Sequence, residues 1–272
     1  MRDAMSCSTT QTLIFPHVPK CGGTTVAALF QPTRRLHAII PALSVVPAGR
    51  TISFHGGHRT AQQLERFCAR RDPCCVWLII LRDPIARLVS AFATSQEDHQ
   101  HFDCSHRRLH ARLRDRSNPL TIEELALAPL KQLASCNLNT YLDVLAPQRG
   151  NGEAKRLRHA RSRIASDDAV VGVHERMGQT LQLLAHRLSL NLSRYDAFFT
   201  YNPHATIKLT AKARRRLKRV LAPDYELYSA ARRTFEARWE ALRKAWQAMF
   251  AAAVAILSQP PYHPFHTPIT IP

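Results

Sequence analysis

The chain has 272 residues, enough for one well-filled core, and a composition of 45% apolar and 21% charged residues excludes a disordered polymer. Its 38 Lys and Arg against 20 Asp and Glu leave a net charge of +18. That balance suits a polyanionic partner: nucleic acid, an anionic membrane, an acidic polysaccharide or a multiply phosphorylated small molecule. The expected organisation is a single domain over 1–272, with 1–11 and 258–272 as extended tails.

In chain order, the first strong element is the β-prone run TLIFPHV at 12–18. It leads into PKCGGTT and then VAALF, which reads as strand, tight loop and helix. A second strand, TISF at 51–54, ends in HGGH, and a third, CVWLIIL at 75–81, ends in RDPIARLVSAF. The third is apolar without alternation, which requires cover on both faces and implies a parallel sheet between helices. The stretch 95–118 is rich in His and Arg with little apolar periodicity, and reads as a surface segment without metal-ligand spacing. Helices are predicted over 121–133 and 177–188, the latter after a strand at 169–175, and two more from 209 onward, divided by Pro223. No run reaches about 18 uninterrupted apolar residues, so no transmembrane segment is expected. The fold class is therefore α/β, a central parallel sheet flanked by helices with a helical C-terminal part.

Seven cysteines (Cys7, Cys21, Cys68, Cys74, Cys75, Cys104 and Cys136) contain no CxxC pair. They read as reduced thiols, with Cys74 and Cys75 as small buried hydrophobes, and no metal site is assigned.

In open α/β sheets ligands bind beyond the carboxyl ends of the strands, where all three polar clusters converge. Lys20, Cys21, Gly22, Gly23, Thr24 and Thr25 offer small residues for close backbone approach, hydroxyls, a cation and a helix N-terminus that favours an anion. Lys20 precedes both glycines, unlike the nucleoside-triphosphatase loop GxxxxGK[ST], in which Lys follows the second. In the second cluster Pro84 suits the first turn of a helix that places Ser90 on the same broad face as Arg87, and Arg82 can reach the same anion. Asp83 also fits a helix N-cap, and Arg87 a surface charge. His17 is assigned to structure.

FPHVPKCGGTTV and LRDPIARLVSAF together resemble the carbohydrate O-sulfotransferases of the heparan-sulfate 2-O and 6-O type and their bacterial relatives. VGVHERMGQTLQLLAHRLSL at 171–190 and DYELYSAARRTF at 224–235 extend the resemblance loosely over most of the chain. It implies a P-loop NTPase-like α/β fold and use of 3′-phosphoadenosine-5′-phosphosulfate (PAPS), leaving adenosine 3′,5′-bisphosphate. Lys20 to Thr25 would then hold the 5′-phosphosulfate, and Arg82 with Ser90 the 3′-phosphate. Cys21 stands where Thr is common in that family and Phe92 where Tyr is common. The resemblance points to a bacterial-type, cytoplasmic enzyme acting on a hydroxyl of a saccharide.

Such a transfer needs a base, and histidine suits neutral pH. The family's Gly-His pair matches Gly57 and His58, which makes His58 the first candidate and His55 the second. Lys20 would stabilise charge on the leaving phosphate, and no metal is required. Two alternatives are a P-loop-like nucleotide kinase or NTPase, which would need ATP and Mg²⁺, and a non-catalytic polyanion-binding protein built on RRLHARLRDR at 107–116 and RRRLKR at 214–219. No specific nucleic acid partner is assigned.

Overall fold

A computed structural model describes residues 10–30, 51–57, 59–68, 74–98, 104–115, 117–133, 136, 138–147, 152–190 and 208–257. Among these, four strands form one parallel sheet: β1 (Thr10–Pro16), β2 (Thr51–Gly57), β3 (Cys75–Leu81) and β4 (Ala169–Val173), in the order β2-β1-β3-β4. Every residue of β3 and of β4 is buried, as strands covered on both faces require. The connecting helices are α1 (Gly23–Phe30), α2 (Ala61–Leu64), α3 (Pro84–Asp98), α4 (Arg107–Arg114), α5 (Ile122–Leu127), α6 (Leu130–Leu133), α7 (Thr140–Leu145), α8 (Glu153–Ala165) and α9 (Met177–Leu188). The C-terminal part is helical: α10 (Ala211–Val220) and the 36-residue α11 (Ala222–Leu257), with Pro223 in the first turn of α11, where it costs no hydrogen bond.

Two apolar clusters hold these elements. The larger is built on the sheet and includes Leu13, Ile14, Leu78, Ile80 and Val171, with Leu184 of α9 and Leu227, Phe235 and Leu242 of α11 packed against it. The smaller lies among helices, with Leu88 and Phe92 of α3, Leu109 and Leu113 of α4, Leu125 of α5 and Leu217 of α10. α11 runs the depth of the sheet. Asp224, in its first turn, is fully buried, while further along Arg238 donates to the carbonyls of Ala169 and Ser166, where β4 begins. Beyond Leu242 the helix leaves the body; residues 243–255 are all exposed, among them Trp246, Met249 (69%), Phe250 (72%) and Val254.

Several expectations change. Thr10 and Gln11 belong to β1 and not to a tail, because they pair with Thr51 and Ile52. The segment 95–118 is not simply surface: α3 continues to Asp98, and α4 buries Leu109 and Leu113, an i, i+4 pair that is too sparse among arginines to register as a periodic face. The helix over 121–133 breaks at Ala128 and Pro129 into α5 and α6; α5 opens with a capping box in which Thr121 Oγ1 accepts from Glu124 N–H (3.1 Å) and Glu124 Oε2 from Thr121 N–H (2.8 Å). The reading of all cysteines as reduced thiols is overturned: Cys68 is bonded to Cys75, with Cα atoms 5.9 Å apart, and Cys104 to Cys136, 3.9 Å apart. Cys75 opens β3, and Cys104 and Cys136 meet in an isolated antiparallel bridge. No helix among the described residues is long and apolar enough to cross a membrane.

Candidate functional site

The strand order places a topological switch between β1 and β3, since the chain leaves β1 toward β2 on one side and returns to β3 on the other. The hydrogen-bond registers show the consequence. β1 stays paired with β2 through Pro16 and Gly57, and β3 with β4 through Leu81 and Val173, but β1 and β3 are paired only from Thr12–Cys75 to Ile14–Trp77. The two central strands therefore part at their carboxyl ends, and the loops after them form the lips of a crevice.

One lip is the loop from His17 to Gly22. Lys20 (φ 67°) and Gly22 (φ 88°) both adopt the left-handed region, which turns the chain sharply from strand to helix. The first intrahelical bond of α1 is Val26 N–H to Gly22 O (3.2 Å), so the amides of Gly23, Thr24 and Thr25 precede it and point out of the helix N-terminus. The loop is packed from beneath. A Cβ on Gly23 would lie 2.0 Å from the His17 ring at Nε2, so close approach requires glycine there, while at Gly22, where a Cβ would clash only with the tip of Met177, the left-handed φ requires it. His17 is stacked on Phe15 beneath the loop. Cys21 faces inward: it is fully buried, its N–H donates to Val18 O, and burial above all pushes its thiol up to about 12, against the opposing pull of Arg87 and a hydrogen bond with Tyr141. The thiol is protonated and forms part of the floor.

The other lip is the turn from β3 into α3. Arg82 extends across the crevice, with Nη1 3.4 Å from Lys20 O. Its own peptide is gripped by one hydroxyl: Tyr141 Oη accepts from Arg82 N–H (3.2 Å) and donates to Arg82 O. Asp83 is the N-cap of α3, Oδ1 accepting from Ala86 N–H (2.9 Å) and Oδ2 from Tyr225 Oη (3.1 Å), while its own N–H donates to Glu175 Oε1 (2.7 Å).

Arg87 is not a surface charge. It is buried, Nη2 donates to Leu138 O (2.9 Å), its guanidinium lies 5.7 Å from the Tyr141 ring centroid, and Nε has no hydrogen-bond partner among the described residues. The burial follows from helical spacing, because Arg87 shares the inward face of α3 with Leu88 and Ala91. Ser90, one turn on, is also buried. Asp224 closes this buried group: Oδ1 accepts from Tyr141 N–H (3.2 Å) at the start of α7, Oδ2 has no hydrogen-bond partner among the described residues, and desolvation raises the carboxyl to about 7 despite the attraction of Arg87.

The structure thus brings Lys20, Gly22, Gly23, Thr24, Thr25 and Arg82 together at one crevice and sets Cys21, Arg87 and Ser90 beneath it. His55 stands apart, two residues before the end of β2, with its ring 4.1 Å from that of Phe67 in a stacked pair and Nε2 2.9 Å from Ser53 Oγ. His58 lies outside the described residues. Tyr141, Glu175 and His174 were not expected; the last two sit in the turn after β4 and were visible only as part of the HER segment. No family model and no curated protein matches the chain.

Proposed function

We propose that the chain is a sulfotransferase that moves a sulfuryl group from PAPS to a hydroxyl acceptor, a carbohydrate by resemblance of its two motifs. The observation that carries this reading is the crevice at the switch point, with a cation and helix-start amides on one lip and Arg82 reaching the loop from the other (3.4 Å). A ligand with separated anionic groups suits that arrangement better than one with a single charge. The glycines keep the loop on the path that turns its amides toward the crevice: neither could carry a side chain without displacing His17 or Met177.

PAPS would supply the sulfuryl group to be transferred. Lys20 and the amides of Gly23, Thr24 and Thr25 stabilise the charge that grows on the departing 5′-phosphate, and Arg82, with Ser90 beneath it, attends the 3′-phosphate. The acceptor oxygen attacks sulfur in line with the breaking bond and its proton passes to His58. His55 is the second candidate, although stacking on Phe67 and the contact with Ser53 favour a supporting role. The net charge of +18 favours an anionic saccharide as acceptor.

The test is calorimetric binding of adenosine 3′,5′-bisphosphate against ATP with Mg²⁺, for the wild type and for Lys20→Ala and Arg82→Ala. Binding of the bisphosphate alone, weakened by both substitutions, is the expected result. Binding of ATP with Mg²⁺ instead would favour a kinase or NTPase, and binding of neither a non-catalytic polyanion-binding protein.

A further inference from the structure

The turn after β4 contributes a group that the reading above does not use. His174 follows Val173, the last residue of β4, and Thr180 fixes this turn by accepting from Val173 N–H (3.2 Å). Its imidazole lies against the loop, with Cδ2 3.4 Å from the point a Cβ on Gly22 would occupy. It is half-buried. The charged groups that act on it come from two turns, Arg82 from the one between β3 and α3 and Glu175 from its own; behind Glu175 stand Asp83 and Tyr228 of α11, which is hydrogen-bonded to it. Glu175 is engaged by Asp83 N–H and Tyr228, and Arg176 by Glu236, so the Arg82 guanidinium is the charge that acts most directly on the ring.

We propose that His174 is a working side chain of this crevice, one that takes up a proton when an anion binds the loop and then adds its own positive charge to that of Arg82. Deepening the anion-binding reading of the loop, the inference rests on that reading. In the empty crevice burial and the neighbouring Arg82 hold the imidazole below its ordinary range, so it is neutral at pH 7. A dianion placed between the α1 amides and Arg82 reverses the local field and favours imidazolium. By linkage, anion affinity then rises as pH falls, and binding draws protons from solution in the interval between the free and bound titrations.

Sulfate is the suitable probe, because it stays a dianion across the range in which phosphates titrate. Sulfate binding is measured by calorimetry at pH 5.5 and 7.5, in buffers of different ionisation heat, for the wild type, His174→Gln and His174→Lys, with far-ultraviolet circular dichroism as the check on folding. The wild type is expected to bind roughly five- to tenfold more tightly at the lower pH, the size of one added charge beside a dianion at a partly exposed site. It is also expected to show proton uptake that His174→Gln lacks. His174→Lys, permanently charged, should bind at pH 7.5 about as the wild type does at 5.5. An acid-side gain and proton uptake that persist in His174→Gln overturn the proposal while leaving the loop reading intact. Absence of binding by both sulfate and adenosine 3′,5′-bisphosphate in the wild type overturns both.

Discussion

Asp224 offers a test in which the sign and size follow from its surroundings. The carboxyl is fully buried beside Arg87, and burial raises it from 3.8 to about 7. Between about pH 4 and pH 7 the unfolded chain gives up this proton while the folded protein keeps it, so the folded state is increasingly disfavoured as pH rises. One proton corresponds to about 1.4 kcal/mol per pH unit, or about 4 kcal/mol over the whole interval. Above pH 7 the carboxylate forms in the fold too, pairs with Arg87, and the loss stops. Asp224→Asn keeps an oxygen to accept from Tyr141 N–H and has no proton to lose, so the wild-type curve minus the variant curve isolates this group. Urea denaturation at half-unit steps from pH 4.5 to 8 should give a difference that falls with pH and levels near 7. A difference that is flat, or that rises with pH, would refute the argument that desolvation dominates the attraction of Arg87.

Tyr141→Phe removes the hydroxyl shared by both ends of the Arg82 peptide and by Cys21; denaturation should show a loss of about 1–3 kcal/mol, and bisphosphate titration a weaker complex, because Arg82 is no longer held. Gly23→Ala forces a methyl onto His17 and is expected to cost about 1–3 kcal/mol in the same assay, with a neutral result indicating that His17 can swing away. Replacing Cys104 and Cys136 by serine opens a closure 32 residues long and should lower stability by about 4 kcal/mol, whereas the 7-residue closure of Cys68 and Cys75 should matter less. Thermal midpoints with and without reductant check the order of the two.

The parts of this molecule set by local pattern could be read from the chain alone. CVWLIIL has no polar position to turn toward water, so it had to be covered on both faces, and PKCGGTT could join a strand to a helix only by a turn with left-handed positions. What escaped was set by distance along the chain. Tyr141 is 59 residues from the arginine it braces, and Tyr225 142 from the aspartate it contacts; no spacing rule links them. Arg87 read equally well as a neighbour of Ser90 facing an anion and as a surface charge, and only the helix face it shares with Leu88 reveals its burial. The cysteine pairs depended on which turns brought backbones within bonding reach, which residue spacing does not encode. His174 was hidden in plain view, since a histidine at a strand end acquires meaning only from the loop that the neighbouring strands place against it.

The uncovered end of α11 bears on how the protein behaves in solution. Trp246, Met249, Phe250 and Val254 offer contact area to any other molecule, while the +18 charge holds copies of the chain apart. That repulsion has a range of about 30 Å at 0.01 M salt and about 8 Å at 0.15 M, whereas apolar contact is indifferent to such screening. Salt therefore works against the protein twice, loosening anions from the crevice and letting helix ends meet, so that colloidal stability and ligand affinity are both best served by the same dilute buffer.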